Sequence, residues 1–203
     1  MPKEQKLEDS SYVVIMAGGQ SRRFGSNKAF AKFMGKTFLE RVIHAVSQVT
    51  ERFVLSVRDQ SDYPWLKVDK VPDLVKGVGP MGGLYSCFKR LKAETLLLVA
   101  CDMPLLSSRF IRFMLEFQCE EPIVVPEAGG QLHPLHARYH KSVVPYIEEL
   151  IEENRFGMSE LLRKVPFKTI SQIDAGNHVD LEKVLTNVNT RLELEMLQKH
   201  VNR

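Results

Sequence analysis

Two stretches of the sequence carry residue types that could act on an anionic ligand. The first, Gly18-Gly-Gln-Ser-Arg-Arg-Phe-Gly-Ser-Asn-Lys28, combines three glycines, two arginines and a lysine. Glycines let backbone N–H groups close on a phosphate, because no Cβ intervenes. Arginine and lysine supply fixed charge against a polyanion. The segment is not a G-x-x-x-x-G-K-[ST] loop, since Gly25 leads into Ser26-Asn27. A solvated basic loop is the competing reading. The second stretch is Asp102, which follows the apolar run Thr95-Leu-Leu-Leu-Val-Ala100 and precedes Pro104. A carboxylate at a strand end can hold Mg²⁺ while substrate phosphates complete the shell. A helix N-cap is the alternative, but Ser107 and Ser108 are better placed for that role.

Other polar residues point less sharply. Asp73 follows Pro72 and reads equally as a turn residue or a ligand contact. His133, His136 and His140 are spaced as metal ligands could be. A strand over Leu135–Tyr139 would send His133 and His136 to opposite faces, so a three-histidine site is not expected. Gly77-Val-Gly-Pro-Met-Gly82 fits G-x-G-x-x-G only formally: it follows no convincing strand and contains Pro80. Cys101 reads as a small buried residue, because no partner base is evident.

These residues need a scaffold, and the apolar pattern predicts one. Tyr12–Ala17 and Thr95–Ala100 are continuous apolar runs, as strands buried on both faces require. Arg52–Val57, Val68–Val71, Ile123–Val125, Leu135–Tyr139 and Phe167–Ile173 predict further strands, with Leu135–Tyr139 expected to be antiparallel. Thr37-Phe-Leu-Glu40 is a capping box that starts a helix with Leu39, Val42, Ile43, Val46 and Val49 at helical spacing. Leu84–Leu91, a segment capped by Ser107 or Ser108, Val143–Asn154, Met158–Lys164 and Leu192–His200 predict the remaining helices. Strands alternating with helices indicate an α/β three-layer sandwich with a mostly parallel sheet. Open sheets of that kind place ligands at the carboxyl ends of their strands.

A chain of 203 residues suits one core, so we expect a tail over 1–10 and a single domain over 11–203. A net charge of +3 makes no case for nucleic acid, and no apolar run is long enough for a membrane helix. Three cysteines without metal-type spacing and no secretory leader point to reduced thiols in the cytoplasm.

Val14-Ile-Met-Ala-Gly-Gly-x-Ser-x-Arg-Phe-Gly-x-x-Lys28 resembles the L-A-G-G-x-S-x-R-M-G-x-D-K signature of the molybdenum cofactor guanylyltransferases. These are nucleotidyltransferases of glycosyltransferase-A-like, Rossmann-like fold. Gly79-Pro-Met-Gly-Gly83, Leu98-Val-Ala-Cys-Asp-Met-Pro104, His133-Pro-Leu135 and Asn187-Val-Asn-Thr190 resemble four further elements of that family in the same order. Met16, Phe24, Asn27 and Arg191 depart from the usual Leu, Met, Asp and Pro.

The resemblance implies transfer of GMP from GTP to molybdenum-molybdopterin, with Mg²⁺ as cofactor and pyrophosphate as co-product. It implies catalytic roles for Lys28, Arg23 and Asp102, with the metal on Asp102. GTP would meet Met16, Ala17, Gly18, Gly19, Lys28, Asp73, Gly79, Pro80, Gly82 and Asp102. Arg155, His133, Asn187 and Asn189 would face molybdopterin. Molybdoenzymes or cofactor-delivery proteins would be its partners. A cytidylyltransferase for the same cofactor, a sugar-phosphate nucleotidyltransferase and a non-catalytic nucleotide-binding module are the alternatives.

Overall fold

The computed structural model describes residues 10–19, 28–177, 179–188 and 190–201. The strands are β1 Ser11–Met16, β2 Lys32–Phe33, β3 Lys36–Thr37, β4 Phe53–Val57, β5 Lys70–Pro72, β6 Thr95–Ala100, β7 Ile123–Ala128, β8 Gln131–Leu132, β9 Arg138–His140 and β10 Phe167–Ile170. The helices are α1 Phe38–Ser47, α2 Pro80–Arg90, α3 Ser108–Glu116, α4 Val144–Glu152, α5 Met158–Lys164, α6 Gln172–Ala175, α7 Leu181–Val184 and α8 Arg191–Val201.

The main sheet runs β10-β7-β9-β6-β1-β4-β5, with β8 on β7. Along that path only β9 is antiparallel to its neighbours among the described residues. Central β1 buries three consecutive residues, Val13, Val14 and Ile15, because both of its faces are covered. Val13 and Ile15 join Leu55, Leu97 and Val99 beneath α1, α3 and α7. Val14 joins Val54, Leu96 and Leu98 beneath α2, α4 and α5. The result is the expected three-layer α/β sandwich.

Thr37 and Glu40 form the predicted capping box, with the Thr37 N–H donating to Glu40 Oε2 at 2.7 Å. Ser107 caps α3, which leaves Asp102 free of that task. Several boundaries differ from the sequence expectation. The helix expected from Leu84 already begins at Pro80, because Gly79 takes φ +66° and proline needs no N–H at the first helical position. The strand expected over Leu135–Tyr139 is confined to Arg138–His140, and Pro134–His136 form a 3-10 turn before it. The strand expected to reach Ile173 stops at Ile170, because Ser171 and Asp174 make a second capping box. The helix expected over Val143–Asn154 is α4 after a 3-10 turn at Lys141–Val143.

Helix α2 lies close on the sheet at Gly83. A Cβ there would stand 2.5 Å from Ser56 Oγ and 2.8 Å from Met16 Cε. Gly83→Val is therefore expected to keep the fold but lose about 1–3 kcal/mol of stability, as overpacking does. A urea unfolding midpoint equal to that of the unsubstituted chain would show that α2 has slack at this point.

Candidate active site

The sheet places the two sequence features side by side. β1 and β6 are parallel neighbours, with Met16 opposite Ala100. Chain leaving β1 becomes Ala17-Gly18-Gly19, and chain leaving β6 becomes Cys101-Asp102. Both emerge at the carboxyl edge. Strand order also reverses here, since β4 and β5 follow β1 on one side and β6 returns on the other. Such a switch point opens a crevice. The crevice is a cleft of about 870 Å³, within the range that small ligands occupy.

Lys28 Nζ lies 3.2 Å from Asp102 Oδ2, and only 8% of Lys28 is exposed. The pair joins the far end of the glycine loop to the end of β6. Asp102 offers a hard oxygen donor in the cleft. That suits Mg²⁺, which uses one or two carboxylates and completes its shell with water and substrate phosphates. Among the described residues no group of three or more His, Cys, Asp or Glu converges as a metal cage. Burial, and then the Asp102 charge, push the neighbouring Cys101 thiol up to about 12, so it stays protonated at neutral pH.

Several contacts fix the end of β6. Val188 donates its N–H to Asp102 O at 3.1 Å, and Arg41 donates from Nε to Pro104 O at 2.8 Å. β9 is too short to pair with Ala100, so Ala100 N–H donates instead to His136 Nε2 at 3.2 Å. Tyr63 braces the loop after β1. Its hydroxyl donates to Ala17 O at 2.8 Å, and its ring lies 5.7 Å from that of Phe30, just beyond Lys28. Tyr63 holds φ +55°, a conformation that costs a non-glycine residue and recurs at functional sites.

Met16, Ala17, Gly18, Gly19, Lys28, Asp73, Gly79, Pro80 and Asp102 all line the cleft. Gly82 does not: it faces Val75 O and the Val78 side chain, and the lining glycine is Gly83. His133 and Asn187 are also absent from the lining. His133 begins the 3-10 turn, and burial lowers its pKa against an upward pull from Asp102. Asn187 is exposed beside Val188. Arg155, between α4 and α5, pairs with Glu153 and Glu160 at the surface and is no part of the cleft wall. Arg23, with Arg22, Gly25 and Asn27, lies outside the described residues, as does Asn189.

Sequence reasoning missed Ser56, Arg58 and Lys76, which also line the cleft. The first two end or follow β4. The carboxyl-edge rule could have found them once Arg52–Val57 was read as a strand.

Residues 13–170, from β1 through β10, match the model of the MobA-like NTP transferase domain. The chain belongs to this family. It is a nucleotidyltransferase. A protein from Flavobacterium johnsoniae named probable molybdenum cofactor guanylyltransferase is 34% identical over 90% of this chain and 94% of its own length. A protein of the same name from Bacillus cytotoxicus is 31% identical over 89% and 92%. The crystal structure of molybdopterin-guanine dinucleotide biosynthesis protein A from Archaeoglobus fulgidus superposes with a TM-score of 0.83. At 20% identity, covering 94% of this chain and 98% of that one, it establishes the nucleotidyltransferase fold.

His136 is expected to make this nucleotidyltransferase less stable in acid. Its Nε2 accepts a hydrogen bond, so Nδ1 carries the proton, and that atom is buried with no partner among the described residues. Burial lowers its pKa to about 4, outweighing Asp102. Unfolded, it titrates near about 6.5. Between these values the unfolded chain binds a proton that the native chain refuses, so stability falls as pH drops through the window. We expect His136→Gln, which keeps an acceptor for Ala100, to flatten that slope in urea unfolding between pH 7 and pH 4. His133 shifts in the same direction, so some slope remains. A slope unchanged by the substitution would refute the role given to His136.

Proposed function

We propose that the chain is a molybdenum cofactor guanylyltransferase, which transfers GMP from GTP to molybdenum-molybdopterin and releases pyrophosphate. The observation that carries this reading is the Lys28–Asp102 contact at the switch point of the sheet. A buried cation beside a metal-suited carboxylate is what a polyphosphate path would need. The names of the relatives support the choice of substrates. The free cysteines fit a reducing, cytoplasmic setting, and no helix among the described residues is long and apolar enough to cross a membrane. Residues 11–203 would act as one domain, and molybdoenzymes or cofactor-delivery proteins would take the product.

The acceptor phosphate is already a nucleophilic anion, so the reaction needs no strong general base. The protein's task is to bring two anions together, align them and stabilise charge on the leaving pyrophosphate. Lys28 would neutralise that charge from the end of the loop, and Arg23 would assist. Gly18 and Gly19 would direct N–H groups at phosphate oxygens. Gly79 and Pro80, at the positive end of α2, would face the nucleotide. Asp102 would hold Mg²⁺, which when bound offsets the negative charge of the phosphates. The 3.2 Å contact supports this reading, since Lys28 would then stand beside the carboxylate that holds the metal. His133, Asn187, Asn189 and Arg155 remain proposals for the pterin side.

Asp102→Asn and Lys28→Ala should each fold and bind nucleotide yet lose about 10²–10³ in rate or more, as for other preorganised charge stabilisers. Pyrophosphate release from GTP, Mg²⁺ and the pterin acceptor measures this. Near-normal turnover in either variant would overturn the roles of the pair. A wild-type preference for CTP over GTP would instead make the chain a cytidylyltransferase.

A further inference from the structure

The cleft has a second charged wall, on which Asp73 is one of the expected GTP contacts and Arg58 has no role assigned to it. Arg58 follows β4 and Asp73 follows β5, and both side chains line the cleft. Among the described residues, neither side chain makes a hydrogen bond or ion pair. Each of their acidic neighbours has one carboxylate oxygen held locally. Asp62 Oδ2 accepts from the N–H groups of Arg58 and Asp59, each at 3.1 Å. Asp59 Oδ1 accepts from Ser61 N–H and Ser61 Oγ. Asp73 is thus an acceptor left over for a ligand.

Backbone and packing contacts fix where Arg58 starts. Asp62 holds its N–H, and its Cγ stands 3.3 Å from where a Cβ on Gly18 would lie. Asp73 is anchored through its own N–H to Val57 O at 2.9 Å. Next to it, Leu74 donates its N–H to Ser86 Oγ at 2.8 Å, tying the segment to α2. Among the described residues, Lys76, the other cation on this wall, has no such anchorage. Burial raises the Asp73 pKa, and the Arg58 charge acts to lower it, so the two groups share one electrostatic environment.

From this arrangement we infer that Arg58 and Asp73 form a donor–acceptor pair that selects guanine, with Arg58 as the specificity-determining residue. The inference rests on the cleft being the nucleotide site proposed above. An arginine offers only donors, and an ionised aspartate offers only acceptors. Guanine presents the O6 acceptor beside the N1–H and N2 amine donors, so Arg58 would meet O6 and Asp73 the two donors. Adenine reverses the order: its N6 amine would face Arg58, and its N1 acceptor would face Asp73. Cytosine likewise presents an amine where guanine has O6. A site built to hydrogen-bond one edge rejects the others chiefly because its own polar groups would be left unpaired.

The test is calorimetric titration of the full chain with GTP, ITP, ATP and CTP in Mg²⁺. Arg58→Met should reduce the preference for GTP over ATP by about tenfold or more, with ATP affinity little changed. Arg58→Lys should retain ATP binding but recover the preference only in part, since it lacks the guanidinium fork. Asp73→Asn should lose the preference for GTP over ITP, which lacks the N2 amine. Equal weakening of GTP and ATP by Arg58→Met would make Arg58 a phosphate cation and overturn the inference. A GTP preference that survives both Arg58→Met and Asp73→Asn would also overturn it, while leaving guanylyl transfer intact. A wild-type preference for CTP would instead remove the reading on which the inference stands. Thermal unfolding of each variant confirms that the exposed Arg58 and the half-buried Asp73 are not needed for the fold.

Discussion

The contact between Lys28 and Asp102 makes the largest demand on the architecture. A lysine that is 92% covered needs a countercharge, because an uncompensated ammonium in that position would be very costly. The countercharge lies 74 positions away in sequence. Local structure cannot bring them together, so the sheet must. It does so by setting β1 and β6 side by side and parallel, with Met16 level with Ala100. A shift of one residue in that pairing would also exchange the faces of Val13, Val14 and Ile15, which are all fully buried. Core packing therefore fixes the register, and the register fixes the charges.

The end of β6 illustrates how an open cleft is kept rigid. A strand that stops in a cleft loses ladder partners just where precision is needed. Here the missing acceptor is a side chain, His136, because the 3-10 turn at Pro134–His136 carries the chain away before β9 begins. On the other side Val188 ties Asp102 to the segment before α8, whose Leu194 and Leu197 pack with Phe33 and Phe38. Arg41 reaches Pro104 O from α1 while stacking over the Phe33 ring at 5.0 Å. Elements remote in sequence thus hold one short peptide. The support is polar where the backbone needs partners and apolar where the elements meet.

The parts of this arrangement legible in the sequence were those written as patterns of several residues. The continuous apolar runs of β1 and β6 announced buried parallel strands, and Thr37 with Glu40 announced α1. Lys28 and Asp102 were legible because each ends such a pattern. Arg58 was not, since a lone arginine after a strand is indistinguishable from any surface arginine until the cleft is seen. His136 was hidden by the wrong element: read as part of a strand, it had no reason to reach Ala100. Arg155 is legible in the sequence only as a charge. It is a cation at a helix end, but Glu153 and Glu160 beside it take its charge locally. Gly82 and Gly83 are adjacent and chemically identical, so only helix phase tells which faces the sheet.

That phase links the two ends of the cleft. Gly83 lets α2 approach both Ser56, at the end of β4, and Met16, at the end of β1. Ser86, one turn further along α2, accepts from Leu74 N–H and donates to Gly82 O at 2.6 Å. The wall bearing Asp73 is therefore fastened to the helix that packs on the strand leading into the glycine loop. A nucleotide gripped at its base would have its phosphates placed by a rigid framework rather than by a flexible tether. For a transfer limited by bringing two anions into line, that coupling would let binding energy from the base contribute to orientation at the reacting phosphorus. Loop closure alone would have to order both ends separately. The tight approach of α2 at Gly83 makes them one object.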